Sequence, residues 1–274
     1  MSGQPDTAGE FSAHLAIVTG AASGIGRATA EAFARAGAET WLWDLNAEGV
    51  LAVAAELRDA GLAATGVAVD VTDDAAVDRA VGDVRASSRA IHLVNSAVNF
   101  VAAGPDATRA EWEGALGVNV IGSALLTAKV AREMPPGSTV VNISSISAHS
   151  AQPDRWTYNA SKAAILALTR GQALDYRRRG IRVNAVSPGW IWTAEVAKAA
   201  EDGGRERWEP IWGRFHMLER LGEASEIADA VLYLSSPRAG FITGTELFVD
   251  GGYSSLGPEG LGDSSKFAGS SPRD

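Results

Sequence analysis

Near its start the chain passes without interruption from a strand-like run, LAIVT at residues 15 to 19, into the turn GAASGIG and then into the helix-forming stretch RATAEAFARAG. Glycines at 20, 24 and 26 allow a tight connection, because glycine takes positive φ freely and carries no Cβ. A strand followed at once by a helix is half of a parallel crossover unit, so the sequence is committed to a sheet with helices laid across its faces. The first N–H groups of such a helix have no partner within it and carry the positive end of its dipole, which suits them to an anion. Alone, the turn is equally compatible with a tight connection and nothing more.

The rest of the chain keeps the same rhythm. Strand-like runs at LAIVTG (15 to 20), ETWLWD (39 to 44), TGVAVD (65 to 70), IHLVN (91 to 95), TVVNIS (139 to 144), IRVNAVS (181 to 187) and ELFVD (246 to 250) alternate with stretches of helical period. The helices are predicted over 24 to 37, 46 to 60, 73 to 88, 108 to 133, 157 to 179 and 223 to 235. This predicts an α/β single-domain Rossmann fold, a doubly wound seven-stranded parallel sheet with helices on both faces. Residues 1 to 274 are expected to form one domain with a core from about 12 to 253. The segment 194 to 219 breaks the rhythm with Trp208, Trp212, Phe215 and His216 among charges of both signs, and reads as a substrate lid. The Gly- and Ser-rich tail from 254 to 274 reads as extended.

Composition removes several classes of function. The formal charge of -9 and pI near 5.0 oppose nucleic acid and anionic membranes as partners. The absence of cysteine excludes disulfides, thiolate metal sites and a cysteine nucleophile. The four histidines, at 14, 92, 149 and 216, lack metal-ligand spacing, so no metal is expected. MSGQPDTAGE has no leader pattern, and no segment approaches the ~18 apolar residues of a membrane span, so a cytoplasmic location is expected.

Two further features give the glycine turn a purpose. Asp44 ends the second strand eighteen residues after Gly26, where a carboxylate can accept from the ribose hydroxyls of a dinucleotide and repel a 2′-phosphate. The expected cofactor is therefore NAD rather than NADP, with Arg27 as the residue that could rescue a phosphate. Asp70, closing the third strand, is a candidate adenine contact or else a helix cap. The second feature is WTYNASKAA, residues 156 to 164, where Tyr158 and Lys162 share one helical face. An ammonium near a phenol, whose ordinary pKa is ~10, is expected to lower that value and make the phenol a usable base.

These residues together resemble the short-chain dehydrogenase/reductase family over about 12 to 253. TGAASGIG (19 to 26), Asp70, NSAV (95 to 98), Asn119 in NVIG, NISS (142 to 145), YNASK (158 to 162) and SPGWIWT (187 to 193) follow in order. The resemblance implies a catalytic set of Asn119, Ser145, Tyr158 and Lys162. Ser145 is preferred to Ser144 because it lies thirteen residues before the tyrosine. Tyr158 would exchange the proton of the substrate hydroxyl, Ser145 would hydrogen-bond the same oxygen, Lys162 would tune the tyrosine and hold the nicotinamide ribose, and Asn119 would organise a water leading to Lys162. Cofactor contacts are implied for Gly20, Ser23, Gly24, Ile25, Gly26, Asp44, Leu45, Asp70, Val71, Asn95, Ala97, Pro188, Gly189, Ile191 and Thr193, together with Tyr158 and Lys162.

One position departs from the family pattern. Val98 stands where an NNAG-type motif ends in glycine, which would strain a β-branched residue if positive φ were required there and otherwise reshapes the loop. Substrate contacts are expected from Ser145, Gln152, Trp156, Tyr158, Trp190 and Trp192, with His149 and Arg155 as further polar candidates, which suggests a cyclic, aromatic or sugar-like secondary alcohol. The resemblance also implies a homotetramer, for which the long helices 108 to 133 and 157 to 179 and the stretch GTELFVDGGY would supply the contacts. Three functional readings follow: an NAD-dependent alcohol dehydrogenase, an NADPH-dependent ketoreductase opposed by Asp44, and a catalytically silent dinucleotide sensor, which would need no proton relay.

Overall fold

A computed structural model describes residues 9–84, 89–200, 203–258 and 260–261. The predicted tail beyond 261 and the predicted helical residues 85 to 88 lie outside the described residues. Strands β1 (Leu15–Thr19), β2 (Glu39–Asp44), β3 (Ala64–Ala68), β4 (Ile91–Asn95), β5 (Thr139–Ile143), β6 (Arg182–Pro188) and β9 (Glu246–Val249) form one sheet in the order β3-β2-β1-β4-β5-β6-β9. Every pairing in it is parallel. The order reverses between β1 and β4, and ligands of doubly wound sheets bind in the crevice beyond the C-terminal strand ends at such a reversal.

The central strands β1, β4, β5 and β6 read as largely apolar runs because both of their faces are covered. Along β1, Ala16 and Val18 enter the core shared with α1 (Gly24–Arg35), α2 (Ala47–Asp59) and α9 (Ala224–Ser235), where Phe33, Val53 and Val231 meet them. Leu15 and Ile17 enter the opposite core, with Val77 of α3 (Asp74–Asp83), Leu126 and Val130 of α5 (Ser123–Ala131), and Ala173 of α6 (Trp156–Tyr176). Burying each such aliphatic side chain contributes about 1.5–3 kcal/mol, so the two-residue period of β1 fixes its register from both sides.

The predicted helix 108 to 133 is interrupted. It starts as α4 (Arg109–Leu116), capped reciprocally by Thr108 and Glu111, widens into a π-helical turn over Gly117–Gly122, and resumes as α5. The wide turn fits because Gly122 has no side chain; a Cβ there would stand 3.0 Å from the Val71 carbonyl oxygen. By length and composition Arg109–Ala131 is apolar enough to cross a membrane, contrary to the expectation that no segment approaches this. Here it packs against α3 and α6, with Leu126 and Val130 in the core.

The segment after Thr193 is ordered into α7 (Ala194–Ala199) and α8 (Gly204–Trp212). A short parallel ribbon closes its base, β7 (Ile191–Trp192) against β8 (Gly222–Glu223). His216 pins its far end: the ring is buried, and its Nε2 accepts the Trp190 N–H at 3.1 Å.

At the opposite end of the sheet His92 is buried between Phe11 and Phe33, with Nε2 2.9 Å from His14 Nδ1 and Nδ1 2.8 Å from Thr139 Oγ1. Desolvation pushes its pKa down to about 3, helped by His14 and Arg182. An unfolded histidine titrates near ~6.5, so below that pH only the unfolded chain takes up the proton. The stabilisation is complete above pH ~6.5 and is lost progressively as pH falls toward 3. From this residue alone, unfolding free energy should be about 2 kcal/mol lower at pH 5 than at pH 7. Urea melts of the wild type and His92→Gln at both values check this; an undiminished pH difference in the variant would show that another group carries it.

Candidate active site

The glycine turn stands at the β1/β4 crevice. Gly20 and Gly24 have φ of +68° and +55°, and α1 begins at extended Ser23 with no side chain capping it. Ile25 and Gly26 form its first turn with Gly24, and a cap-free first turn suits a pyrophosphate. Gly20 lies so close to the end of β4 that a Cβ would stand 2.9 Å from Ala97 Cα and Ser96 O. Across the crevice, a Cβ on Gly24 would meet the Thr193 methyl at 3.5 Å. Thr19, which the sequence did not single out, ties the two strand ends together: its hydroxyl oxygen accepts from the N–H groups of Ser96 and Ala97.

Asp44 is fixed by two backbone donors, Ala22 N–H to Oδ2 at 2.9 Å and Asn46 N–H to Oδ1 at 2.8 Å, with Leu45 exposed beside it. Arg27 turns away from the turn, into Glu31 and Glu56. Asp70 lies beyond the end of β3 and accepts from Thr72, while Asp73 caps α3. Val71 packs against the core beside Gly122. Asn95, expected among the cofactor contacts, is buried, and its amide nitrogen donates to Thr127 and Asn142 inside the molecule. As the last residue of a strand covered on both faces, it leaves only its backbone near the crevice. Val98 has no positive φ, so the loop is reshaped without strain.

Ser145, Tyr158 and Lys162 come together beyond β5, with Asn119 in the π-helical turn packed against α6. Tyr158 and Lys162 lie on α6, buried, with Lys162 Nζ 5.6 Å from the phenol ring centroid. Lys162 donates to the Ile143 carbonyl at 2.9 Å. Ser144 is committed elsewhere, donating to the Lys162 carbonyl at 2.9 Å, whereas the Ser145 hydroxyl accepts from Ser147 N–H at 3.1 Å and lies close enough to the Tyr158 phenol to influence its ionisation. Asn119 sits in the π-helical turn and grips the 96–100 loop, accepting from Asn99 N–H at 2.8 Å and donating to Asn99 O and Ser161 Oγ. Phe100, which no sequence pattern marked, covers Tyr158 with ring centroids 4.4 Å apart.

The electrostatics correct one expectation. Burial pushes the Tyr158 pKa up to about 12, and the opposing influences are the neighbouring Ser145 hydroxyl and the Arg155 charge. Lys162 is itself desolvated, which lowers its pKa to about 8. Desolvation therefore dominates, and the phenol is held protonated.

Of the expected substrate contacts, Gln152 accepts the Ser147 hydroxyl at 2.7 Å, and Trp156 is exposed at the start of α6. Trp190 belongs to an aromatic wall with Trp212 and Phe215, and Trp208 stacks on Trp212 at 4.8 Å. Trp192 lies under Arg205. His149 is directed away from this group, pairing with Glu246 and Phe248 on β9. Pro188 closes β6, and Gly189 leaves room for His216, whose Nε2 would be 2.9 Å from a Cβ there. The Ile191 side chain is in the core, so only its backbone can face a ligand, and Thr193 caps α7.

The family described as Enoyl-(Acyl carrier protein) reductase matches residues 20–254. The chain is 37% identical to a cis-4-hydroxycyclohexanecarboxylate dehydrogenase of Sinomonas cyclohexanicum, covering 90% of this chain and 98% of that protein. It is 38% identical to a D-threitol dehydrogenase of Mycolicibacterium smegmatis, covering 87% and 92%. It is also 36% identical to an uncharacterized short-chain type dehydrogenase/reductase of Sinorhizobium fredii, covering 89% of this chain and 44% of that longer protein. With the parallel sheet and the ordered motifs, these matches place the chain in the short-chain dehydrogenase/reductase family.

Proposed function

We propose that the protein is an NAD-dependent dehydrogenase of cyclic or polyhydroxylated secondary alcohols, converting CH–OH to the ketone. The observation that carries this reading is the buried Ser145, Tyr158 and Lys162 group, set beyond the C-terminal strand ends of the same sheet as the glycine turn. Relatives named for a hydroxycyclohexane acid and for a tetritol support the CH–OH donor. The uncapped start of α1 would take the pyrophosphate, and Asp44 the adenosine ribose. When bound, the nicotinamide supplies the hydride acceptor. Tyr158 takes the hydroxyl proton as phenolate, or returns it as phenol in the reverse direction, and Ser145 holds the same oxygen. Lys162 stabilises the phenolate, and Asn119 fixes the loop carrying Phe100 above the ring.

The NAD preference rests on two side chains. Asp44 is anchored where a 2′-phosphate would meet its charge, and Arg27 is already neutralised by Glu31 and Glu56. A like-charge encounter costs several kcal/mol, so kcat/KM should favour NAD over NADP by about 100-fold or more, and Asp44→Ala should remove most of that ratio. Absorbance of the reduced nicotinamide with polyols and cyclic alcohols measures both. A wild-type preference for NADP, or no turnover with either cofactor in either direction, would sink the reading.

A further inference from the structure

We propose that Arg155 selects a substrate carrying a carboxylate, so that the alcohol oxidised at Tyr158 is a cyclic hydroxy acid whose acid group pairs with this guanidinium. The inference rests on the dehydrogenase reading and names the substrate class of the same site. Arg155 lies three residues before Tyr158, and side chains at that spacing share a helix face. It occupies the position before α6 without capping the helix.

The backbone that delivers it is unusual. Asp154 has φ of +53°, a left-handed conformation rare outside glycine. It is packed against Gly104, where a Cβ would stand 2.7 Å from Asp154 Oδ1 and 2.9 Å from its Cα. The turn thus depends on a glycine elsewhere in the fold.

The other half-buried arginines among the described residues are engaged: Arg27 with Glu31 and Glu56, Arg89 with Glu39, Arg205 with Glu209 and Glu223, and Arg179 and Arg182 with backbone carbonyls. Among the described residues the Arg155 guanidinium has neither an ion pair nor a hydrogen bond. It lies over the Trp190 ring at 5.6 Å and is close enough to Tyr158 to favour the phenolate. In a chain with 33 acidic and 24 basic residues, an unpaired half-buried guanidinium at the reaction centre stands out. Its planar fork of N–H donors matches a carboxylate in two parallel bonds, and the indole fixes the plane of the fork. The same aromatic wall offers Trp190 and Phe215 to an apolar ring. A single cation answers a single negative charge, which favours a carboxylate over a phosphate dianion.

The test uses matched ligands that differ only in charge. Cyclohexanecarboxylate and cyclohexanecarboxamide are titrated against wild type, Arg155→Gln and Arg155→Lys, each saturated with NADH, and followed by tryptophan fluorescence. A charged hydrogen-bonded pair predicts about 10- to 100-fold tighter binding of the acid in the wild type, a ratio near one in Arg155→Gln, and an intermediate ratio in Arg155→Lys. Equal affinities in the wild type, or a ratio that survives Arg155→Gln, would overturn the inference. The corresponding hydroxy acid and hydroxy amide are then compared as substrates. Turnover of both without acid preference removes the carboxylate site and leaves the dehydrogenase standing. Acid preference in binding with no turnover of either does the reverse.

Discussion

Tyr158→Phe should lower kcat for alcohol oxidation by about 10²- to 10⁴-fold, the usual contribution of a positioned acid–base group. Cofactor affinity and fold should change little, because phenylalanine keeps the ring under Phe100 and removes one hydroxyl. The pH profile carries the mechanism. Burial holds the phenol near 12, so at neutral pH it is the protonated form that is present, and oxidation needs the other. Oxidation rate in the wild type should therefore rise as pH is raised from 7, and reduction should fall, since the phenol is then the donor. Lys162, lowered to about 8, begins to lose its charge in the same range and should flatten the rise above that pH. The variant should show neither trend. Steady-state rates from pH 6 to 10 in both directions decide it; a variant retaining a tenth of wild-type kcat with the same pH slope would remove Tyr158 from the proton transfer.

How far the sequence carried depends on whether a property is local. The sheet strands were legible because a parallel strand covered on both faces is mostly apolar, as the fully buried β1, β4 and β5 are. The pairing of Tyr158 with Lys162 followed from helical spacing alone. What was hidden depended on distant partners. The sequence could not show that the Asn95 amide nitrogen donates to Thr127 and Asn142, 32 and 47 residues away. The π-helical turn at Asn119 has no periodic signature, since its width is set by Gly122 against Val71. The choice of Ser145 over Ser144 became physical only when Ser144 was found donating to the α6 backbone. The sign of the Tyr158 shift could not be read from spacing, because desolvation is a property of the whole packed site. Arg155 and His149 looked alike as polar neighbours of the motif; only the fold sends one to Trp190 and the other to Glu246.

The second large effect belongs to Gly26. A Cβ there would stand 2.1 Å from the Gly20 carbonyl oxygen, 2.6 Å from its carbon and 3.1 Å from the Thr19 oxygen. All three are backbone atoms, so no rotamer change relieves the clash. Gly20 cannot yield toward β4, because it already lies against Ala97 and Ser96. Gly26→Ala must therefore move the start of α1 off the end of β1, against the packing of α1 on α9. Overpacking of this kind costs about 1–3 kcal/mol, and displacing the first-turn N–H groups by about 1 Å should weaken NADH binding and turnover by about 100-fold. Gly82→Ala in α3 is the matched control: a Cβ there meets nothing within 4 Å, and alanine should stabilise the helix by up to about 1 kcal/mol. Thermal melts and NADH titrations of the two variants separate the helix propensity of alanine from its volume. Wild-type NADH affinity in Gly26→Ala would mean that α1 can shift without carrying the cradle with it, and the contact between Gly26 and Gly20 would lose its place in cofactor binding.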